Sequence, residues 1–275
     1  MKKLIAIVLM AAMLVACFAS CGGNDSETAS GTDSQTTTET LIMATNATFP
    51  PYEYYQEDDI VGIDAEIAQA IADKLGMKLE IVDTEFGSII GGVQSGKYDI
   101  GMAGMTVTDE RKESVNFSDT YATGVQSVIV PENSEYASFE DFYTGFDADG
   151  NPTGVKEGIT IGVQQDTTGD IYSSDDPKNW GFGEANVIRY KNGADAVQAL
   201  ISGKVTAVII DNEPAKSFVA ANEGLKILDG EYTNEDYAIC VAKENTDLLN
   251  KINSALAELK ADGTVDKIIA KYIPA

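Results

Sequence analysis

Residues 41–275 predict an α/β fold of two lobes, each a mainly parallel sheet flanked by helices, with a ligand cleft between them. Three observations lead there. From Leu41 onward, short β-rich runs alternate with helical patterns. A helix ending in Ser-Gly-Lys and entering an apolar strand occurs twice, in Val93-Gln94-Ser95-Gly96-Lys97-Tyr98-Asp99-Ile100 and in Leu200-Ile201-Ser202-Gly203-Lys204-Val205-Thr206-Ala207. The strands that follow run into Ala103-Gly104 and Asp211, at the carboxyl ends where open α/β sheets bind ligands. Two such mouths facing each other make a cleft.

Ahead of the fold, residues 1–20 read as an export signal. Lys2 and Lys3 precede an apolar run, Leu4–Ala16, shorter than the ~20 residues a membrane-spanning helix needs. Leu14-Val15-Ala16-Cys17 resembles the lipidation motif of bacterial lipoproteins, and Phe18-Ala19-Ser20-Cys21 offers a second candidate, so Cys17 or Cys21 is the expected lipid site. Residues 21–40 are almost wholly Gly, Ser, Thr, Asp, Glu, Asn and Gln. They cannot bury enough apolar area to offset ordering, and predict a disordered tether spanning roughly 25 Å.

The elements follow in order. Leu41–Thr45 predicts a strand. Ile63, Ile67, Ala70, Ile71 and Leu75 share one helical face, which Gly76 terminates. Strands are expected at Leu79–Val82, Asp99–Met102, Ile159–Val163, Ala185–Ile188 and Val205–Ile210, with a helix over Ala194–Ile201. Leu248, Leu249, Ile252, Ala255, Leu256 and Leu259 mark a helix stopped at Gly263, and a last helix runs through Ile268 and Ile269. Crossings between lobes are expected near Tyr121–Gln126 and Gly230–Tyr237, giving one lobe of residues 41–124 and 233–275 and another of 125–232.

Composition excludes several functions. The chain carries 19 basic and 44 acidic residues, a net charge of −25, which repels phosphate backbones and argues against nucleic acid as a partner. Histidine is absent, and with it the commonest general base and metal ligand. Cys240 is the single thiol beyond residue 21, inside the apolar run Tyr237–Val241, and reads as a core residue. Asp147-Ala148-Asp149-Gly150-Asn151 hints at a calcium loop, but Pro152 stands where that loop needs glycine; a solvated hairpin turn is the better reading. Neither metal nor cofactor is expected.

Chemistry concentrates at Thr106-Val107-Thr108-Asp109-Glu110-Arg111. Thr108 suits a helix N-cap, with Asp109 and Glu110 well placed in the first turn. Arg111 is then a cation at a helix start, against the dipole. It reads either as a surface residue paired with Glu110 or Glu113, or as a guanidinium facing the cleft, ready for a planar carboxylate.

Asn46-Ala47-Thr48-Phe49-Pro50-Pro51-Tyr52-Glu53, Val61-Gly62-Ile63-Asp64, Ala103-Gly104-Met105-Thr106 with Arg111, Asn116-Phe117-Ser118-Asp119, Ile161–Gly169 and Val208-Ile209-Ile210-Asp211 together resemble the polar amino-acid-binding proteins of ABC importers, the type II periplasmic-binding-protein family. The resemblance implies that Arg111 holds an α-carboxylate, assisted by Thr106 and by Thr168 from the other lobe. It implies Asp211 for the α-ammonium, with the Gly104 carbonyl beside it, and Phe49 and Phe86 over the side chain. Asn46, Ala103 and Gln165 complete the implied binding set. Asn46 stands where members that take cationic side chains often carry Asp, which favours a neutral polar ligand. Asp166 replaces a common Gly and reads as a solvated loop residue or an added ligand contact. The implied partners are a free amino acid, an ABC permease, and a membrane met only through the lipid anchor, on the outer face of the cytoplasmic membrane. A monomer and no enzymatic activity are expected. The competing class is a cyclohexadienyl-dehydratase-like enzyme on the same fold, which would need an acid such as Glu53 or Asp166 poised in the cleft.

Overall fold

The computed structural model describes residues 38–274 apart from residue 231. The export signal, Cys17, Cys21 and nearly all of the expected tether lie outside the described residues. No described helix is long and apolar enough to cross a membrane.

The first lobe is built on a five-stranded sheet ordered Lys78–Asp83, Thr40–Thr45, Ile100–Gly101, Cys240–Ala242, Val115–Phe117. The second sheet runs Val187–Tyr190, Ile161–Gln164, Ala207–Asp211, Ala122–Pro131, Leu225–Ile227, with Thr233–Tyr237 also paired to Ala122–Pro131. In each sheet the first three strands are parallel, and the rest add antiparallel. Both sheets are therefore mixed, each with a single strand, Cys240–Ala242 or Ala122–Pro131, running against the others. The reason lies in chain direction. Strands of the βα units end at the cleft, whereas Ala122–Pro131 and Cys240–Ala242 start there, where the chain arrives from the opposite lobe.

The crossings are antiparallel neighbours, with Ala122 opposite Tyr237 and Gln126 opposite Thr233. Of the boundaries read from the sequence, 124/125 falls within the outgoing strand of this ribbon and 232/233 at the start of the return strand, and both strands pair within the second sheet. The ribbon carries Gln126, Glu235 and Tyr237 beneath the cleft.

Side-chain periodicity accounts for the helices. Ile63–Leu75 buries Ile63, Ile67, Ala68, Ile71 and Ala72, and ends on Gly76 at φ 66°, the left-handed turn glycine adopts without strain. Thr246–Ala261 buries Leu248, Ile252, Ala255, Leu256 and Leu259 and packs against the first helix. In the second lobe Asn192 caps the helix Gly193–Ile201 by accepting from the Asp195 amide. The strand expected at Ala185 begins at Val187, because Glu184–Asn186 forms a 3₁₀ turn. The loop with three acidic or amide residues closes the hairpin Tyr143–Phe146/Pro152–Val155, and the Asp147 carboxylate accepts from the amides of Asp149 and Asn151, both at 2.9 Å.

Candidate functional site

A cavity lies between the lobes. Asn46, Phe49, Phe86, Ala103, Gly104, Thr106 and Arg111 line it from the first lobe, and Thr168 and Asp211 from the second. Gln165 does not reach it. That residue is exposed and its amide turns to Asp166 at 3.3 Å, while its neighbour Gln164 lines the cavity instead. Alternation along Ile161–Gln164 decides this: one residue further points to the other side. Glu53 and Thr167 are further lining residues.

Arg111 is buried, 7% exposed. Its helix, Asp109–Ser114, starts at Thr108, whose hydroxyl accepts from the Arg111 amide at 3.1 Å. The guanidinium turns inward, away from Glu110 and Glu113. It donates to the Thr106 carbonyl at 2.7 Å and, across the cleft, to the Asp166 carbonyl at 3.1 Å, and lies 5.2 Å from the centre of the Phe86 ring. Burial lowers its pKa, and the charge of Glu235 opposes that. A cation fixed in this way leaves remaining N–H donors for a carboxylate in the cavity.

Further contacts tie the lobes together around the cavity. The Gln164 amide donates to Asn46 Oδ1 at 2.9 Å, and the hydroxyls of Thr106 and Thr168 lie 3.4 Å apart. The Asp166 carboxylate occupies the place a Cβ on Gly87 would take, which brings the two lobes into close contact there. Asp166 itself sits in the left-handed region, at φ 64°, with its side chain exposed and its carbonyl committed to Arg111.

Opposite Arg111, Asp211 ends the strand Ala207–Asp211 and is also 7% exposed. The Tyr237 hydroxyl donates to Oδ1. Burial first and Glu235 second push its pKa up to about 7. Gly104, at φ 52°, has the Phe49 ring so close that a Cβ would fall 2.7 Å from Cε1. The Gly104 amide donates to Asp64 at 2.8 Å, and the Tyr121 hydroxyl reaches the same oxygen at 2.9 Å. Burial raises Asp64 to about 6. Beside it Glu53 is 1% exposed, and no donor reaches either carboxylate oxygen. Burial and the facing Asp64 hold its pKa well above the usual carboxylate range.

Sequence reasoning passed over Glu235, Gln126, Tyr237 and Gln164. Glu235 and Tyr237 are buried on one face of Thr233–Tyr237, while Asn234 and Asp236, which alternate with them, are exposed. That period of two was the available signal, in a stretch too polar to attract notice as a strand. Among the described residues, no group of three or more His, Cys, Asp or Glu side chains could hold a metal ion.

Known proteins of the same build extend along the whole domain. Residues 41–275 match the bacterial extracellular solute-binding proteins, family 3. The arginine-binding extracellular protein ArtP of Bacillus subtilis (strain 168) is 31% identical over 275 residues, spanning 99% of this chain and 98% of that one. From the same organism, the ABC transporter glutamine-binding protein GlnH is 28% identical over 285 residues, covering 99% of this chain and 98% of its own. Among solved structures, an ancestral arginine-binding protein bound to glutamine superposes with a TM-score of 0.75 at 39% identity, over 86% of this chain and 98% of that one. An ancestral arginine-binding protein bound to arginine gives 0.74 at 40% identity, over 85% of this chain and 98% of that one.

Proposed function

The chain belongs to the bacterial extracellular solute-binding proteins, family 3, and on that premise we propose that it captures free L-arginine between its lobes and hands it to an ABC importer. The observation that carries the reading is the opposition of Arg111 and Asp211, both buried and from different lobes, across one cavity lined from both sides. A zwitterion taken out of water needs both charges met, because an unpaired buried charge costs several kcal/mol. Arg111 takes the α-carboxylate and Asp211 the α-ammonium, and both contacts exist only when the lobes come together, which couples binding to hinge closure.

The side-chain end favours a guanidinium. Phe49 and Phe86 offer faces for a planar cation. Glu53 presents two buried carboxylate oxygens without a donor, and the Asn46 and Gln164 amides lie beside it. Glu53, Asp64, Asp211 and Glu235 line or back the cavity against one cation, Arg111, so a ligand bringing net positive charge improves the balance. A second reading, glutamine, rests on Asn46 at the position expected to meet a cation and on the raised pKa of Glu53, whose protonated form would donate to an amide oxygen where its ionised form would meet a guanidinium. Relatives that bind arginine and relatives that bind glutamine both occur among the similar proteins.

Thermal unfolding against single amino acids tests the function, since a ligand bound only by the folded state raises the midpoint. Calorimetry on Glu53→Gln then separates the two ligands. Arginine binding should weaken by ~2–5 kcal/mol, the cost of leaving a buried charge without its partner, while glutamine binding should persist. Preference of the wild-type protein for glutamine over arginine supports the second reading, and no response to any amino acid reopens the dehydratase-like alternative. We also take the protein to work as a monomer held to the outer face of the cytoplasmic membrane through a lipid on Cys17 or Cys21, which mass spectrometry of the mature N-terminus checks.

A further inference from the structure

Glu235 is a buried carboxylate that the ligand contacts above leave unassigned. It sits on the return strand Thr233–Tyr237, opposite Gly124 of the outgoing strand, and is 5% exposed. Its Oε2 accepts from the Thr106 hydroxyl at 3.0 Å and from the Gln126 amide at 3.0 Å, while Oε1 has no donor. The same Gln126 amide lies 3.4 Å from the Thr168 hydroxyl. One carboxylate at the hinge thus anchors a chain of groups from both lobes.

The direction of these bonds matters. A carboxylate only accepts, so the Thr106 proton points to Glu235 and away from the cavity. Thr106 then offers the cavity only lone pairs. Thr168, which can accept from Gln126, keeps its own proton free for a ligand carboxylate or for Thr106. Charge follows the same geometry. Arg111 from the helix Asp109–Ser114, Asp211 at the end of Ala207–Asp211, Tyr172 from the helix Thr168–Ser174, and Tyr237 two residues along are the titratable groups that feel Glu235. It supports the cation of Arg111 and opposes the anion of Asp211.

We propose that Glu235 is a positioning residue for amino-acid capture, aligning the Thr106 hydroxyl and Gln126 amide from the hinge and setting the pH at which Asp211 becomes able to receive an ammonium group. The proposal rests on the reading that the cavity takes a zwitterionic amino acid. Asp211 binds an ammonium ion as the carboxylate. Any group that keeps its proton on delays binding to higher pH; burial does so first, and the charge of Glu235 adds to it. On binding, the proton held at this end leaves to solvent.

The test is calorimetry from pH 5 to 8 with arginine and glutamine on the wild-type protein and on Glu235→Gln and Glu235→Met, both neutral and of similar volume, with circular dichroism to verify folding. Wild-type affinity should rise with pH through about 7. In both variants the midpoint of that rise should move down by roughly one pH unit, the scale expected on removing a nearby like charge. Glu235→Asp, which restores the charge, should bring it back. Variants that lose affinity equally at every pH, with the midpoint unmoved, overturn the proposal in favour of a packing role. Should neither neutral variant fold, wild-type glutamine binding in two buffers of different ionisation enthalpy decides: proton release near pH 6.5 supports the proposal, and no release overturns it. A wild-type protein that binds no amino acid refutes the function above and not the role of Glu235 alone.

Discussion

Replacing Arg111 by alanine separates what this residue does for the fold from what it does for a ligand. The substitution removes a 2.7 Å bond to the Thr106 carbonyl, a 3.1 Å bond across the cleft to the Asp166 carbonyl, and the stacking of the guanidinium on Phe86. Hydrogen bonds from a charged group contribute ~1.5–3 kcal/mol each, but burying the guanidinium opposes them. A net loss of ~1–2 kcal/mol lowers the unfolding midpoint by only a few degrees in a domain of this size. The ligand loses far more. Its α-carboxylate would enter a cavity whose remaining charges, Asp211 and Glu235, are negative, and truncating one member of a buried charge pair costs ~2–5 kcal/mol. Affinity should fall by roughly 30-fold to several thousand-fold. Calorimetry with the amino acid that gives the largest thermal shift measures the loss, and circular dichroism confirms the fold. Arg111→Lys should fall between, since it keeps the charge and loses the fork. A folded Arg111→Ala protein with wild-type affinity would show that the carboxylate is held elsewhere and refute the reasoning.

Two other outcomes are expected. Gly104→Ala places a Cβ 2.7 Å from the Phe49 ring at φ 52°, so it should cost ~1–3 kcal/mol of stability and weaken ligand binding by displacing that ring, read by thermal unfolding and calorimetry together. Stability and affinity should respond to pH in opposite directions. Asp64 and Asp211, raised to about 6 and about 7, hold more protons folded than unfolded, so the stability of the protein without ligand should fall as pH climbs from ~4 towards 7. Ligand affinity should rise over the upper part of that window as Asp211 ionises; parallel rather than opposed trends would mean that these carboxyls are not the groups in control.

Local rules made much of this protein readable. The Ser-Gly-Lys echo marks the same device in both lobes: Gly96 at φ 73° and Gly203 at φ 70° turn the chain out of a helix in the left-handed conformation. Arg111 drew attention by standing at a helix start, and its N-cap Thr108 explains why the backbone tolerates it there. What stayed hidden depends on long-range pairing. Glu235 meets Gln126 because their strands are neighbours in a ladder whose register no local signal specifies. The exchange of Gln165 for Gln164 is a matter of parity, since the last strand residue determines which side chain faces the cavity. Glu53 was visible as an acid beside Phe49, yet its pairing with Asp64 needed the fold to bring strand and helix together.

Cys240 leads to a practical end. Its thiol is fully buried, lies against Gly101, and is pushed to about 12 by burial, so it is nearly inert to maleimides at neutral pH. The folded domain therefore arrives with a silent background for labelling. Glu85 and Lys191, exposed on opposite rims and paired at 3.1 Å, mark where the lobes meet. With Cys17 and Cys21 replaced by serine, dyes on cysteines introduced at those rim positions would report lobe separation by energy transfer, turning the chain into an optical gauge of its own ligand.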